Sequence, residues 1–173
     1  MRKQSYWMIM LLGIGLGMVA CGSDEEPAPV KEGVNITMTF PDEWDDTNRF
    51  GDPVVLVGMS PPELGSDSFY ENVNVVTEEM PGFTLTTYYD SMLTSLEGLQ
   101  NFTLLSAKDT TLNGYATKKI IFTVESNQTT LQLMEYILYE KETGIIVTCT
   151  ALERSFARYE AQFNQIVSTI RLE

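Results

Sequence analysis

Alternating apolar and polar residues predict β-strands in the first half of the chain. A period of two places the apolar side chains on one face of a strand and the polar ones on the other. A nearly continuous apolar run is typical of a strand covered on both faces, and we expect such a run to form a central strand. The alternating segments are 34–41, with Val34, Ile36, Met38 and Phe40 on one face, and 69–80, with Val73 and Val75 on one face; the apolar run is 54–60.

The spacing then changes to that of an amphipathic helix. After Leu85, apolar residues follow at offsets of three, four, seven, eight and eleven, which form one stripe along a helix. Thr84 is a suitable N-cap and Gly98 a suitable C-terminal stop. A second stripe of the same period predicts a helix from Glu153 to Leu172.

Between these helices lie four strand-like segments joined by short turns. Asn113-Gly114 is typical of a hairpin, and residues 126–128 and 142–144 also suit tight reversals. Consecutive strands joined by such short turns must be antiparallel. The two helical stripes must be buried, and the sheet is the only large partner. The sequence therefore predicts a single α+β domain, a mainly antiparallel sheet of about six to seven strands with two packed helices.

The first 21 residues have the pattern of an export leader. Arg2 and Lys3 precede the uncharged run Tyr6–Val19, which is shorter than the roughly 20 residues of a membrane-spanning helix. It fits the apolar region of a secretory signal. The residues "MVAC", Met18–Cys21, resemble the lipobox of bacterial lipoprotein precursors, although Leu is more usual than Met at the first position.

The lipobox resemblance implies a membrane anchor. In that family the cysteine thiol receives a diacylglycerol, the leader is cleaved just before the cysteine, and the new amino group is acylated. We therefore expect a signal peptide at 1–20, lipidation of Cys21, a flexible acidic tether at 21–33 and one domain at 34–173. The expected location is the bacterial outer membrane, facing the periplasm or the cell surface. The alternatives are an ordinary secretory signal with a chance cysteine and an uncleaved transmembrane anchor.

Composition narrows the classes of function. The chain has 11 basic and 24 acidic residues, a net charge of −13, and loss of residues 1–20, which hold two basic residues, makes the charge −15. Such a chain is repelled by phosphate backbones, so we expect no nucleic-acid partner. The chain contains no histidine, which excludes Ser-His-Asp, Cys-His and His-Glu-x-x-His sites. We expect no catalytic residue, no cofactor and no metal, and a monomer that contacts the membrane through its lipid.

Cys149 is the second of two cysteines and lies in the apolar segment 144–152. Once Cys21 carries lipid, no intramolecular disulfide can form. We interpret Cys149 as a small core residue of a buried strand.

Four segments of the domain resemble the PsbP-like superfamily, which includes DcrB-type bacterial lipoproteins. The resemblance implies an α/β/α-type sandwich around an antiparallel sheet, and a non-catalytic accessory or binding function. The superfamily has no catalytic motif that could be carried over to this chain. The segments are "MTFPDEWD" (Met38–Asp45), "VVLVGMSPPELGSDSFYENVNVVTEEMPG" (Val54–Gly82), "TTLNGYATKKIIFTV" (Thr110–Val124) and "FARYEAQFNQIVSTIRL" (Phe156–Leu172).

Two groups of loop residues are candidate sites. The acidic group could supply paired carboxylates for hydrolysis or oxygen ligands for calcium, but we interpret it as a solvated loop. The aromatic group could dock a partner or a sugar, but packing beneath the loops is the favoured interpretation, with Trp44 partly inside. The acidic residues are Asp42, Glu43, Asp45 and Asp46; the aromatic residues are Trp44, Phe50, Phe69 and Tyr70.

These patterns favour a lipid-anchored envelope accessory or binding protein that acts with an envelope protein partner. Two alternatives stay open. A histidine-free hydrolase would need two carboxylates in one cleft, at least one of them buried. A carrier of a hydrophobic ligand would need an enclosed apolar cavity between the sheet and a helix.

Overall fold

The structure, a computed structural model, describes residues 34–46, 53–62, 69–99, 101–126 and 128–173. The expected signal peptide, the Cys21 lipidation site and the tether lie outside the described residues, as does Phe50. No helix among the described residues is long and apolar enough to span a membrane.

Within these ranges the chain forms a six-stranded antiparallel sheet in the order β2-β3-β7-β6-β5-β4, a separate two-stranded sheet of β1 and β8, and two helices. The predicted α+β class is thereby confirmed. The elements are β1 (Ile36–Thr37), β2 (Val54–Met59), β3 (Asn72–Glu79), α1 (Leu85–Glu97), β4 (Thr103–Leu112), β5 (Tyr115–Ser126), β6 (Thr129–Glu140), β7 (Thr143–Leu152), α2 (Glu153–Ser168) and β8 (Arg171–Leu172).

Short hairpins make β4 to β7 a meander. Asn113 and Gly114 both have positive φ, 51° and 89°, as the predicted two-residue turn requires. Lys141 and Glu142 form the turn between β6 and β7, with φ of 48° and 61°. The reversal predicted at 142–144 is therefore placed earlier, and Gly144 lies inside β7.

The helices cover opposite faces of the sheet. The α1 residue Tyr88 packs beside Tyr139 of β6, with ring centroids 6.2 Å apart, whereas Phe163 of α2 belongs to the same core cluster as Tyr136 of β6. Tyr136 and Tyr139 are three residues apart on one strand, so alternation directs them to opposite faces. We call these the α1 face and the α2 face.

Capping and burial explain why α1 forms where it was predicted. The Thr84 side chain accepts a hydrogen bond from the Thr87 amide, and the Thr87 side chain accepts one from the Thr84 amide, which forms a capping box. Tyr88, Met92 and Leu96 are buried on one stripe of the helix. The helix ends before Gly98, as the sequence indicated.

The prediction that 54–60 forms a central strand is wrong, because β2 lies at the edge of the sheet. The residues of β2 are apolar because other parts of the chain pack on both faces of the strand, although in the described sheet β2 has a neighbouring strand on one side alone. Val54 and Val57 are buried, and Phe40 packs so closely over Gly58 that a Cβ there would overlap its ring. Among the described residues, β2 has one backbone bridge besides its pairing with β3, and this bridge joins Met59 to Asp45.

The helix predicted from Glu153 to Leu172 ends at Ser168, and the last residues form β8. The Asn113 side-chain amide donates to the carbonyls of Ser168 and Ile170, at 2.8 and 2.7 Å, which stabilises the exit from the helix. Ile170 is still fully buried, so the apolar stripe continues although the helix does not. Similarly, alternation in 34–41 is correct, but only Ile36–Thr37 pairs as a strand, with β8.

Candidate functional site

The acidic loop predicted from the sequence is exposed. Asp42, Glu43, Asp45 and Asp46 all project to the surface, whereas Trp44 between them is 6 % exposed. The Trp44 ring stacks on Phe40 at 6.5 Å and meets the edge of Phe163 at 6.4 Å. The interpretation of Trp44 as a core residue beneath a solvated loop is confirmed.

The other aromatic candidates differ in exposure. Tyr70 is 47 % exposed and Phe69 is half-buried, whereas Trp44 is buried. Cys149 is fully buried in β7, as predicted, and burial raises the pKa of its thiol.

A buried network joins Ser60 and Glu71, both in the quoted segment Val54–Gly82, to Ser155, which directly precedes the quoted segment Phe156–Leu172. Glu71 is 1 % exposed; its carboxylate accepts hydrogen bonds from Ser155 Oγ at 2.6 Å and Ser60 Oγ at 3.4 Å. Ser155 lies in the first turn of α2, and Ser60 follows β2. Since a negative charge near a helix N-terminus is stabilising, the network is best understood as a structural joint between β2, β3 and α2.

Glu135 is a second buried carboxyl group, in the middle of β6 on the α1 face. It is 4 % exposed; Thr148 Oγ1 donates to its Oε1 at 3.4 Å, and Oε2 has no hydrogen-bond partner among the described residues. Burial raises the pKa of this carboxyl to about 7. Glu135 lies opposite Thr148 of β7, and Thr148 in turn lies opposite Asn74 of β3, so three polar residues form a row across neighbouring strands.

Two consecutive lysines of β5 have opposite environments. Lys118, on the α1 face, makes a 2.6 Å ion pair with Asp109 of β4, and its Nζ lies 5.4 Å from the centre of the Tyr89 ring. The side-chain hydrogen bond to Asp109 is the largest cause of a raised Lys118 pKa. Lys118 is thus a neutralised surface cation.

Lys119, on the α2 face, is held by uncharged groups. Its Nζ donates to Asn164 Oδ1 at 2.9 Å and lies 4.8 Å from the centre of the Tyr136 ring. The Tyr136 hydroxyl donates to the same Asn164 oxygen at 2.6 Å. The whole residue is only 8 % exposed, so most of the Lys119 side chain is covered at the margin of α2.

A second cation faces Lys119 across the strands. Lys108 of β4 is its direct cross-strand partner and is exposed. The pKa of Lys119 is lowered, first by burial and then by the charge of Lys108, whereas Glu160 acts in the opposite direction and more weakly. We call Lys108 and Lys119 the lysine pair; they form the candidate binding site.

Sequence reasoning missed both Glu135 and the lysine pair, although each left a trace. Glu135 interrupts an otherwise apolar strand, and two adjacent lysines in a strand must occupy opposite faces. Their partners, Thr148 and Asn164, are 13 and 45 residues away along the chain. Within the described ranges, no group of three or more cysteine, aspartate or glutamate side chains lies close enough to hold a metal ion.

Comparison with known proteins identifies the fold. No family model and no curated protein matches the sequence. Among solved structures, LpqN of Mycobacterium tuberculosis, which is involved in cell envelope biogenesis, is similar with a TM-score of 0.68 at 11 % identity, covering 81 % of this chain and 84 % of LpqN. Cyanobacterial PsbP of Synechocystis sp. PCC 6803 gives 0.54 at 14 % identity, covering 86 % of this chain and 98 % of its own. The fold is PsbP-like.

A third PsbP-like match is a Pseudomonas aeruginosa protein of unknown function, PA94. Its TM-score is 0.60 at 17 % identity, and the match covers 78 % of this chain and 94 % of PA94. At such low identity these similarities establish the architecture alone, so function must be argued from the residues.

Proposed function

We propose that this protein is a lipid-anchored, non-catalytic accessory protein of the bacterial cell envelope that acts by binding a partner. The observation that carries the proposal is the leader pattern, a basic start and an uncharged run ending in "MVAC" at Cys21. The PsbP-like fold of the domain supports it, because LpqN, a protein of cell envelope biogenesis, has the same fold.

Lipid supplies the membrane contact in this proposal. Each buried methylene contributes about 0.8 kcal/mol, and stable anchoring needs more than one acyl chain, which a triacylated Cys21 provides. A domain and tether of charge −15 are repelled by anionic headgroups. We assign the anchor to the outer membrane, with residues 21–33 as the flexible acidic tether that begins at the lipidated Cys21.

The environments of the buried carboxyl groups support a non-catalytic role. The Glu71 carboxyl group accepts hydrogen bonds from two serine hydroxyls, and Glu135 is buried on the α1 face of the sheet. The acidic residues of the 42–46 loop are exposed. A glycosidase-type pair needs two carboxyl groups facing one cleft with different pKa values, whereas Glu71 and Glu135 serve separate parts of the fold.

The test is to replace Cys21 with serine and follow the protein in membrane and soluble fractions. We expect Cys21→Ser to leave the membrane fraction and to lose incorporation of radiolabelled palmitate, while the circular dichroism spectrum of the domain is unchanged. Cys149→Ala is the matched control, because it removes the other cysteine and should stay membrane-bound and labelled. Label in Cys21→Ser, or none in the wild-type protein, would contradict the proposal.

A further inference from the structure

The β4–β5 pair carries contrasting charges on its two faces. On the α1 face Asp109 lies opposite Lys118 and the two form an ion pair of 2.6 Å. On the α2 face Lys108 lies opposite Lys119, two like charges in direct cross-strand register. Opposite charges at such positions are stabilising and like charges are destabilising. The same two strands therefore have a favourable arrangement on one face and an unfavourable one on the other.

Acidic residues are abundant, yet among those that the structure describes none forms an ion pair with Lys119. The chain has 24 acidic residues against 11 basic ones, but no carboxylate lies within ion-pair distance of Lys119 among the described residues. Glu160 is the acidic residue whose field acts on Lys119, and its effect is smaller than that of Lys108. Since covering a charge without an ion-pair partner is costly, the described residues leave an excess of positive charge at this site.

The ammonium group of Lys119 is also fixed in position. It carries three N–H donors, and one of them is used by Asn164 Oδ1. Asn164 cannot turn away, because its oxygen also accepts from Tyr136 and its amide nitrogen donates to the carbonyl of Glu160. Two N–H donors of the Lys119 ammonium group are thus left without a protein acceptor in the described part of the chain.

We propose that the lysine pair binds an oxyanion, the carboxylate or phosphate group of a ligand. Lys119 supplies a pre-positioned donor at the margin of α2, and Lys108 supplies the second positive charge from the exposed edge strand. A bound anion would reduce the repulsion between the two lysines. It would also accept hydrogen bonds from the two N–H groups of Lys119 that have no acceptor among the described residues. Lysines act on such groups as point charges. The acidic surface elsewhere opposes this only at short range, since charges beyond about 8 Å are screened at physiological salt.

The experiment is a titration of the purified full-length protein, held in a non-ionic detergent, with inorganic phosphate. Two-dimensional ¹H–¹⁵N NMR follows the amide signals, and sodium chloride keeps the ionic strength constant. We expect saturable shifts centred on Lys108, Lys119 and Asn164. Shifts that are equally large with chloride alone, or that do not saturate, would overturn the proposal.

Three variants identify the residues responsible. Lys119→Met keeps the aliphatic stem and should weaken phosphate binding about tenfold, the loss expected for one charge-assisted hydrogen bond. Lys108→Ala, at an exposed position where substitutions usually change stability little, should weaken it several-fold. Lys118→Met is the matched control and should leave the affinity unchanged, because Lys118 faces Asp109. Equal losses in all three variants would mean non-specific screening and would overturn the proposal.

Nanodiscs distinguish the source of the oxyanion. The full-length protein is compared in phosphatidylcholine nanodiscs with and without phosphatidylglycerol, in the absence of free phosphate. Shifts of Lys119 and Asn164 that appear with phosphatidylglycerol assign the site to a lipid headgroup. Shifts that require added phosphate assign it to a soluble or partner-borne oxyanion. Both results support the proposal, and it is overturned if shifts appear neither with phosphatidylglycerol nor with added phosphate.

Discussion

Glu71 and Glu135 are both buried carboxyl groups, but they differ in their hydrogen-bond partners. Glu71 accepts hydrogen bonds from two serines and connects the start of β3 to α2. Glu135 accepts one long hydrogen bond, and its Oε2 has no partner among the described residues. A buried charge without partners favours the neutral form, which is why the pKa of Glu135 is raised to about 7.

The raised pKa of Glu135 makes folding stability depend on pH. The carboxyl titrates at 4.5 when unfolded and at about 7 when folded, so the folded state binds more protons between these values. The stabilising effect of its proton is complete below pH 4.5 and is lost as pH rises through 7. The loss is about 3 kcal/mol, from 1.36 kcal/mol per pKa unit.

We expect Glu135→Gln to remove this contribution, because glutamine stays neutral. In urea unfolding, the wild-type protein should lose stability relative to Glu135→Gln between pH 5 and pH 8. The control is Glu160→Gln, the same substitution at a half-buried position on α2, which shows the effect of replacing a glutamate outside the Glu135 environment. Parallel stability curves for wild-type and Glu135→Gln would contradict the assigned environment of Glu135.

At the scale of elements, the position of α1 depends on a glycine in β7. A Cβ built on Gly144 would overlap the Tyr88 ring, so the absence of a side chain there allows Tyr88, 2 % exposed, to lie flat against the strand. The Tyr139 hydroxyl adds a hydrogen bond of 2.7 Å to the Met80 carbonyl, just before α1. Together these contacts fix the start of the helix on the sheet.

Gly144→Ala should therefore destabilise the protein by about 1–3 kcal/mol, the range typical of overpacking. In the Tyr88→Ala background the same substitution should cost far less, because the obstructing ring is gone. Denaturant unfolding of the two single variants and the double variant measures this coupling. Additive losses would show that Gly144 is required for some reason other than contact with Tyr88.

Local patterns predicted the elements better than their positions. The period of 3.6 and the Thr84 cap located α1, and Asn113-Gly114 located a hairpin. The edge position of β2 depends on cover from Phe40, and the end of α2 depends on Asn113, more than 50 residues away in the chain. Both contacts join residues that are too far apart to fall within a window of ten residues.

At the scale of the whole molecule, the candidate site was harder to foresee than the fold. The Glu71 network, which stabilises the structure, joins one motif that resembles the PsbP-like superfamily, Val54–Gly82, to the first turn of α2. The lysine pair arises where β4, β5 and α2 converge, and its significance depends on which neighbours are missing. The sequence shows where the lysines are, but the folded sheet determines whether a carboxylate lies within ion-pair distance of each one.

The central claim, a lipid-anchored envelope protein, is tested most directly by intact mass spectrometry of the protein purified from its native membranes. The account predicts a chain that begins at Cys21, lacks residues 1–20 and carries the added mass of a diacylglycerol and a third acyl chain. A chain with an unmodified Cys21 thiol, or with the leader still attached, would contradict it.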